Sequence, residues 1–282
     1  MASASETPVV IIQPTRGWAA LQLRAVWEYR ELLYFLVWRD VKVRYKQTLL
    51  GVLWIVLQPV VSMIVFSVLF GSLLKVPSGE VPYPIFAYTA LLPWNYFAGA
   101  LNRSSTSLVG SAHLITKVYF PRLIIPIAGV LSGLVDFAVA FLVLGGLMAY
   151  YGIAPTLAAL ALPGFLLLAL LTALGFGLWL AALNVRFRDV NYIIPFLIQI
   201  WMYLTPVVYG STLIPARFRF LLGLNPMTAV VEGFRWALLG SHLADARAPG
   251  VLLVASAGIT LAVLVSGAVF FRRTERTFAD VI

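Results

Sequence analysis

The sequence predicts an all-α integral membrane protein: six transmembrane helices, an N-terminal amphipathic interfacial helix and short re-entrant outer helices between spans 5 and 6. The chain is 61% hydrophobic and 11% charged, whereas soluble domains carry about 25% charged residues. Several uncharged runs exceed the roughly 20 residues that cross the hydrocarbon core. We therefore expect one membrane domain, residues 48–271, between a cytoplasmic N-terminal segment, residues 1–47, and a cytoplasmic tail, residues 272–282.

The segment before the first span predicts a helix that lies in the membrane interface. Tyr34, Trp38 and Tyr45 share one stripe at helical spacing, and basic residues occupy the remaining arc. Helices of this kind lie in the interface rather than cross it. An amphipathic helix on a soluble core is the alternative, but the uncharged run that follows disfavours it. The residues assigned to the interfacial helix are Trp38, Arg39, Lys42, Arg44, Tyr45 and Lys46.

Uncharged runs place the six spans. They cover approximately residues 48–74, 81–102, 123–151, 156–183, 191–209 and 251–271. Pro93 and Trp94 interrupt the second span, and residues 103–122 are too hydrophilic to cross. Six spans bring both termini to one side, which also holds most of the 20 Lys and Arg residues. Because basic residues concentrate on the cytoplasmic side, both termini are expected there, and no nucleic-acid partner is needed to explain the charge.

Asp136 is the only charged residue between Arg122 and Arg186. Acids inside a span are functional candidates because they are costly in lipid. A single carboxylate without a basic or second acidic partner makes a poor proton relay. We therefore expect Asp136 to form hydrogen bonds between helices.

The predicted cytoplasmic segment 103–122 contains a candidate docking helix. Leu108, Ala112, Ile115 and Tyr119 fit a short helix along the membrane face, and Pro121 ends it. A simple connector needs only a few residues. The length therefore favours a docking surface for a cytoplasmic partner, with Ile115 and Tyr119 seated in the partner's groove.

Residues 205–240 hold two apolar helical pieces that are too short to cross, which is typical of re-entrant or interfacial elements. Asn225 is expected to cap a helix whose first residue is Pro226. Glu232 and Arg235, three residues apart, can neutralise one another. A gate over an exit path and a surface cap on the bundle are equally compatible with these four residues.

Two polar and aromatic stripes are candidates for a substrate passage. Aromatic rings stack on sugar faces and amides hydrogen-bond to hydroxyls, which suits a carbohydrate. The alternative, favoured for any single residue, is that rings mark the membrane interface and glutamines join helices. The stripes are Trp54, Gln58 and Ser62 in the first span and Tyr192, Phe196, Gln199 and Tyr203 in the fifth.

The sequence lacks the residues that several kinds of catalytic and binding site require. The chain has no cysteine and only two histidines, far apart, so we predict no catalytic, cofactor-binding or metal-ligating residues. No G-x-x-x-x-G-K-[ST] motif occurs, so the chain has no P-loop to hold ATP. The spans also lack the charge arrays of ion-coupled carriers. Energy for vectorial work is expected to come from outside the chain.

Five segments carry a resemblance to a known family: LVWRDVKVRYKQTLLGVLWIVLQP (36–59), FAYTALLPWNYF (86–97), LITKVYFPRLIIP (114–126), NVRFRDV (184–190) and LNPM (224–227). Together they resemble the membrane subunit of bacterial ABC exporters for polysaccharides. This group includes O-antigen, teichoic acid and capsule exporters with the type-2 permease fold.

The resemblance implies a homodimer in the bacterial inner membrane, with two copies of a separate ATPase subunit that binds ATP and Mg. It implies a channel at the dimer interface for a lipid-linked polysaccharide, an interfacial helix around residues 34–46 that surrounds the substrate's way in, and outer gate helices within residues 211–239. The coupling helix seated in the ATPase would comprise Ala112, His113, Leu114, Ile115, Thr116, Lys117 and Tyr119.

Two other functions remain open. One is an ABC exporter permease for a small lipid or drug, which would not require an aromatic lumen. The other is a membrane-embedded enzyme that modifies glycolipids. Such an enzyme would need clustered acids, histidines or a metal site near one interface, and the sequence does not supply one.

Overall fold

The computed structural model describes residues 23–46, 51, 53–242 and 250–278. The predicted start of the first span at residue 48, residues 1–22 and 47 of the predicted N-terminal segment and residues 279–282 of the predicted tail lie outside these ranges. Regular structure within them is entirely helical, which confirms the all-α prediction. The α-helices are α1 Leu23–Glu28, α2 Arg30–Lys46, α3 Leu53–Phe66, α4 Tyr83–Gly110, α5 Ala112–Lys117, α6 Ile124–Leu131, α7 Gly133–Tyr150, α8 Leu162–Arg186, α9 Val190–Leu204, α10 Arg219–Leu224, α11 Pro226–Leu239 and α12 Gly250–Glu275.

Within the described residues, four helical segments are long and apolar enough to cross a membrane: residues 53–73, 124–150, 157–186 and 250–275. The first continues α3 through a π-helical turn at Ser67–Leu73. The second and fifth predicted spans do not meet both criteria, length and apolar composition. The helix α4 has 28 residues, about 42 Å, but it is more polar, whereas α9 has 15 residues, about 22 Å. Four of the six spans thus meet both criteria.

The helix α4 is the centre of the bundle. It contacts α3, α6, α7, α8, α9 and α11. Small residues such as Ala87, Ala90 and Ala100 allow these neighbours to approach, and large rings fill the remaining space. The helix continues through Pro93, so the predicted interruption there is wrong. Neighbouring helices compensate for the backbone donor that proline lacks.

The lower half of α4 corrects a second prediction. Residues 103–110 were expected in a polar segment outside the membrane helix, yet they extend α4, and Ser104, Ser105 and Leu108 are fully buried. The Ser105 hydroxyl donates to the Leu101 carbonyl at 2.5 Å. Because serine can satisfy itself within its own helix, the buried Ser105 hydroxyl does not require water. The connection therefore begins only at Ser111.

Glycines bring α8 and α12 into close contact. A Cβ added at Gly267 would lie 2.5 Å from the Gly175 carbonyl oxygen. Nearby, the hydroxyls of Thr172 and Thr260 are 2.9 Å apart. Small residues and hydroxyl pairs are the usual means of joining helices in lipid. The α4–α8–α12 body is therefore a tightly packed scaffold that carries the more exposed elements. We call the two ends of this body the α5 end and the α11 end, after the helix that lies at each.

Candidate functional site

The predicted stripe on α9 is exposed. Tyr192 is 84% exposed, and Phe196, Gln199 and Tyr203 are also exposed. Only Val190 and Ile194 of this helix are buried. The helix α9 therefore gives one narrow edge to the bundle and leaves the rest uncovered in this protomer.

The stripe on α3 behaves in the same way. Trp54 and Gln58 are exposed and Ser62 is partly exposed, while Pro59 and Met63 face the bundle. Both predicted stripes thus lie on the surface of one protomer. That they line a passage stays a prediction.

A polar stripe on α4 was missed from the sequence. Asn95 and Asn102 are exposed and Thr106 is partly exposed, on a helix that is otherwise largely buried. Their offsets of 7 and 11 residues place them on one helical face. That spacing was available in the sequence, but this stretch was interpreted as an apolar span followed by a loop.

A cavity of about 380 Å³ opens beside α4, between the α2–α3 segment and α7. We call it the basic cavity. It brings together residues assigned from the sequence to separate sites, and it adds Arg103, which was not singled out. The polar and aromatic lining includes Arg44, Tyr45, Trp54, Gln58, Arg103 and Asp136.

Asp136 is the hub of this cavity. Its Oδ2 accepts from Arg44 Nη1 at 2.5 Å, and its Oδ1 accepts from the Tyr45 hydroxyl. Arg103 Nη1 lies 3.6 Å from the same Oδ2. The predicted hydrogen-bonded role between helices is confirmed. The expectation that Asp136 has no basic partner is wrong, because Arg44 on the basic arc of α2 pairs with it.

The reason is the path of α2. This helix packs on α6 and buries Leu36, so its last turn is directed at α7. Arg44 and Asp136 are 92 positions apart, and sequence periodicity carries no information about such a contact. Trp38, Lys42 and Lys46 face away from the bundle and are exposed, whereas Arg39 pairs with Asp40 at 2.8 Å.

Tyr45 remains a proton donor in this network. Burial, the hydrogen bond to Asp136 and the negative charge of Asp136 together raise the pKa of Tyr45 to about 12, against the opposing effect of Arg44. The phenol is therefore protonated at physiological pH and donates to the carboxylate. Both carboxylate oxygens of Asp136 thus already have a donor.

Arg103 is held differently. Its Nε donates to the Gly129 carbonyl at 3.0 Å, and its guanidinium lies in a slot beside Gly99 and Gly133. A Cβ at Gly133 would come within 1.9 Å of Arg103 Nη2, and one at Gly99 within 3.0 Å of Nη1. The two glycines therefore leave the space that the guanidinium occupies.

The predicted coupling helix corresponds to α5. His113, Thr116 and Lys117 are exposed, and Ala112 and Leu114 are partly exposed. Tyr119, just beyond the helix, is 74% exposed, but Ile115 is only 6% exposed and packs among the chain's own apolar side chains. The expectation that Ile115 seats in a partner's groove is therefore wrong, because this side of α5 is already occupied.

Asn225 joins two elements at the α11 end. Its Oδ1 accepts from the Met227 backbone N–H at 3.1 Å, which confirms the predicted cap of the helix that begins at Pro226. The same oxygen accepts from Trp201 Nε1 at 2.9 Å, and Nδ2 donates to Thr205 Oγ1 at 2.9 Å. Asn225 therefore fastens the start of α11 to the end of α9.

Arg235 completes this joint. It is 1% exposed and donates to the carbonyls of Pro206 and Val207 at 2.6 Å and of Tyr209 at 3.0 Å. Glu232 is an ion-pair partner at 3.4 Å, as predicted, but the backbone carbonyls are closer. We call Asn225, Glu232, Arg235 and residues 205–209 the α11 joint.

Known proteins resemble this chain over most of its length. A family model described as ABC-2 type transporter matches residues 31–239. An O-antigen export system permease protein, RfbA of Myxococcus xanthus, is 32% identical over 92% of this chain and 98% of its own length. A protein of the same name from Klebsiella pneumoniae is 28% identical over 89% and 95%. The polysialic acid transport protein KpsM of Escherichia coli is 26% identical over 84% and 91%.

Proposed function

We propose that this chain, which belongs to the ABC-2 type transporter family, is the channel-forming permease subunit of an ABC transporter that exports a lipid-linked polysaccharide, such as an O-antigen. The names of its relatives support a polysaccharide as the substrate. The family supports transport rather than catalysis as the activity of the chain.

The observation that carries the proposal is a set of exposed amides on apolar helices. Gln58 on α3, Asn95 and Asn102 on α4, and Gln199 on α9 are all exposed in this protomer. An amide side chain that faces lipid without a partner costs free energy. A second copy of the chain would cover these faces and enclose a polar passage, which supports a homodimer with the passage between its subunits.

Aromatic side chains on the same helices suit a sugar polymer. Trp54, Tyr192, Phe196 and Tyr203 are exposed, and flat rings stack on sugar faces while amides bond to hydroxyls. A polymer has to move, so many weak contacts serve it better than one tight contact. The rival substrate, a small lipid or drug, gives no reason for this repeated pattern.

Energy would come from a partner. Without a P-loop of its own, the chain would depend on two copies of a nucleotide-binding subunit that hold ATP and Mg. The exposed part of α5 with Tyr119, and the exposed side chains Phe187 and Arg188, form the surface that we assign to this partner. A membrane-embedded enzyme is not favoured, because the family and the names of the relatives support a transport subunit.

The proposed membrane arrangement has six spans: α3, α4, α6 with α7, α8, α9 and α12. The helices α10 and α11 would be re-entrant beside the short α9. The α5 end would face the cytoplasm together with both termini, since basic residues concentrate there. The membrane that we propose is the bacterial inner membrane.

The proposal is tested by removing the gene for this chain and measuring polymer at the cell surface. We expect surface polymer to disappear and unexported polymer to accumulate inside, because the passage is missing. Restoring the chain should restore export, whereas supplying the ATPase subunit alone should not. Normal surface polymer in cells that lack the chain would contradict the proposed function.

A further inference from the structure

Among the described residues, Arg103 has one long ion pair, to Asp136, and terminal donor groups without a hydrogen-bond acceptor. Its Nε is bound to the Gly129 carbonyl. Within the described part of the chain, neither terminal nitrogen has a hydrogen-bond acceptor, since the nearest carboxylate oxygen, on Asp136, is 3.6 Å away. The side chain is 25% exposed. A guanidinium in so enclosed a place is expected to have an anionic partner.

The charges around it leave one positive charge in excess. The charged residues that line the basic cavity are Arg44, Arg103 and Asp136. Asp136 is committed to Arg44 at 2.5 Å and to the Tyr45 hydroxyl, so its negative charge is largely compensated before Arg103 is counted. The cavity therefore favours an anion at the terminal nitrogens of Arg103.

The surroundings indicate what carries the anion. The cavity is lined in part by Trp54, which is exposed on α3 next to the exposed Leu53, and it adjoins the last turn of α2. Gln58, Asn95 and the Tyr45 hydroxyl supply further polar groups at its wall. A polar, positively charged pocket with exposed apolar side chains beside it matches a lipid whose headgroup is a phosphate.

We propose that the basic cavity binds the phosphate group of a lipid, with Arg103 as the main contact and with Gly99 and Gly133 keeping its guanidinium in place. This inference rests on the proposed function: the bound group would be the phosphate of the lipid-linked substrate as it leaves the α5-end leaflet. Arg44 is shared between Asp136 and this headgroup and ties α2 to the site.

The test is native mass spectrometry of the purified full-length chain in a non-ionic detergent. Three probes separate the possible sources: dioctanoyl phosphatidic acid, dioctanoylglycerol with the same acyl chains and no phosphate, and inorganic phosphate. We expect phosphatidic acid to bind, with dioctanoylglycerol and inorganic phosphate far weaker. Binding of inorganic phosphate as tight as that of the lipid would overturn the lipid assignment.

Three variants test the residues. Arg103→Gln should weaken phosphatidic acid binding about tenfold, because it removes the charge and the free donors. Gly133→Ala should weaken it similarly, since its Cβ would displace the guanidinium. The matched control is Gly145→Ala on the same helix, where an added Cβ meets no atom within 4 Å and binding should not change.

Asp136→Asn is expected to change phosphatidic acid binding in the opposite direction, so it is the most decisive of the variants. Because it removes the only negative charge among the described residues that line the cavity, binding should become tighter. Equal weakening by Asp136→Asn and Arg103→Gln would show that the cluster only supports the fold, and wild-type binding by Arg103→Gln would remove the site altogether. Both results come from lipid binding and do not depend on export. Failure of this inference can therefore be distinguished from failure of the proposed function, which is judged from surface polymer.

Discussion

The α11 joint and the basic cavity are both built around a deeply placed arginine, but the two arginines are satisfied differently. Arg235 spends its terminal nitrogens on three backbone carbonyls, and its guanidinium lies 3.7 Å from the centre of the Phe86 ring. Arg103 spends only Nε on a carbonyl and turns its terminal nitrogens toward a cavity. An arginine whose terminal nitrogens are bound to backbone carbonyls holds the fold together, whereas an arginine whose terminal nitrogens face a cavity is available to a ligand.

Replacing Arg235 should have the largest effect on stability, because Arg235 holds residues 206–209 to α11. Arg235→Gln leaves several carbonyls of residues 206–209 without donors in an enclosed place, and we expect a loss of about 4 kcal/mol in the free energy of unfolding. Arg103→Gln loses one hydrogen bond beside an open cavity and should cost about 1 kcal/mol or less.

The measurement for both variants is thermal unfolding in detergent, together with protein abundance in the membrane fraction. Arg217→Gln is the matched control, since Arg217 belongs to the same segment as the joint but is exposed, and it should unfold like the wild type. Equal losses for Arg235→Gln and Arg103→Gln would erase the distinction between the two arginines.

In and just after α5, a residue that packs within the chain can likewise be compared with one that is exposed to a partner. The expected loss of stability is slightly smaller than for Arg235. Ile115→Lys places a charge in the apolar cluster that also contains Phe271 and Phe278, so we expect a stability loss of about 3 kcal/mol. Tyr119→Lys changes an exposed residue and should leave unfolding unchanged while it reduces export, because Tyr119 belongs to the proposed ATPase surface. Unfolding is measured on the purified chain, and export as surface polymer at matched abundance.

Two outcomes would contradict this assignment. If Tyr119→Lys exported normally, the segment after α5 would be only a connector. If Ile115→Lys were as stable as the wild type, Ile115 would not belong to the apolar cluster, and the original expectation of a partner-facing Ile115 would regain its basis.

Local signals were predictable from the sequence, and contacts over long distances were not. The cap by Asn225 follows from residues one to three positions apart, and the structure confirms it. The partnership of Arg44 with Asp136 depends on how α2 packs against α6, which no local pattern encodes. The position of Ile115 failed for a related reason, since an apolar residue on a surface helix does not reveal whether it faces its own chain or a partner.

Composition is also a poor guide to a helix that is surrounded by other helices rather than by lipid. The polar composition of residues 103–110 argues against a membrane helix, but α8 and α6 enclose this part of α4. A Cβ at Gly177 of α8 would lie 2.3 Å from Ser104 Oγ, which shows how close the two helices are. Hydropathy measures suitability for lipid, so it underestimates a central helix that is surrounded by others.

The exposed face of α9 should show the smallest effect on stability and a graded effect on export. Tyr203 and Phe196 are exposed, so alanine there should leave unfolding unchanged, unlike Arg235→Gln in the joint that holds the end of the same helix. Stacking on a ring is worth about 1–3 kcal/mol if base–aromatic stacking is a fair analogue.

Tyr203→Ala should therefore slow export, Tyr203→Ala with Phe196→Ala should nearly stop it, and Tyr203→Phe should be mild because it keeps the ring. Surface polymer is measured at matched permease abundance. Leu204→Ala is the control, since Leu204 is exposed on the same helix but lies outside the predicted stripe. Wild-type export by the double variant would mean that these rings face lipid or a neighbouring helix, and the passage would then have to be sought along Asn95 and Asn102 of α4.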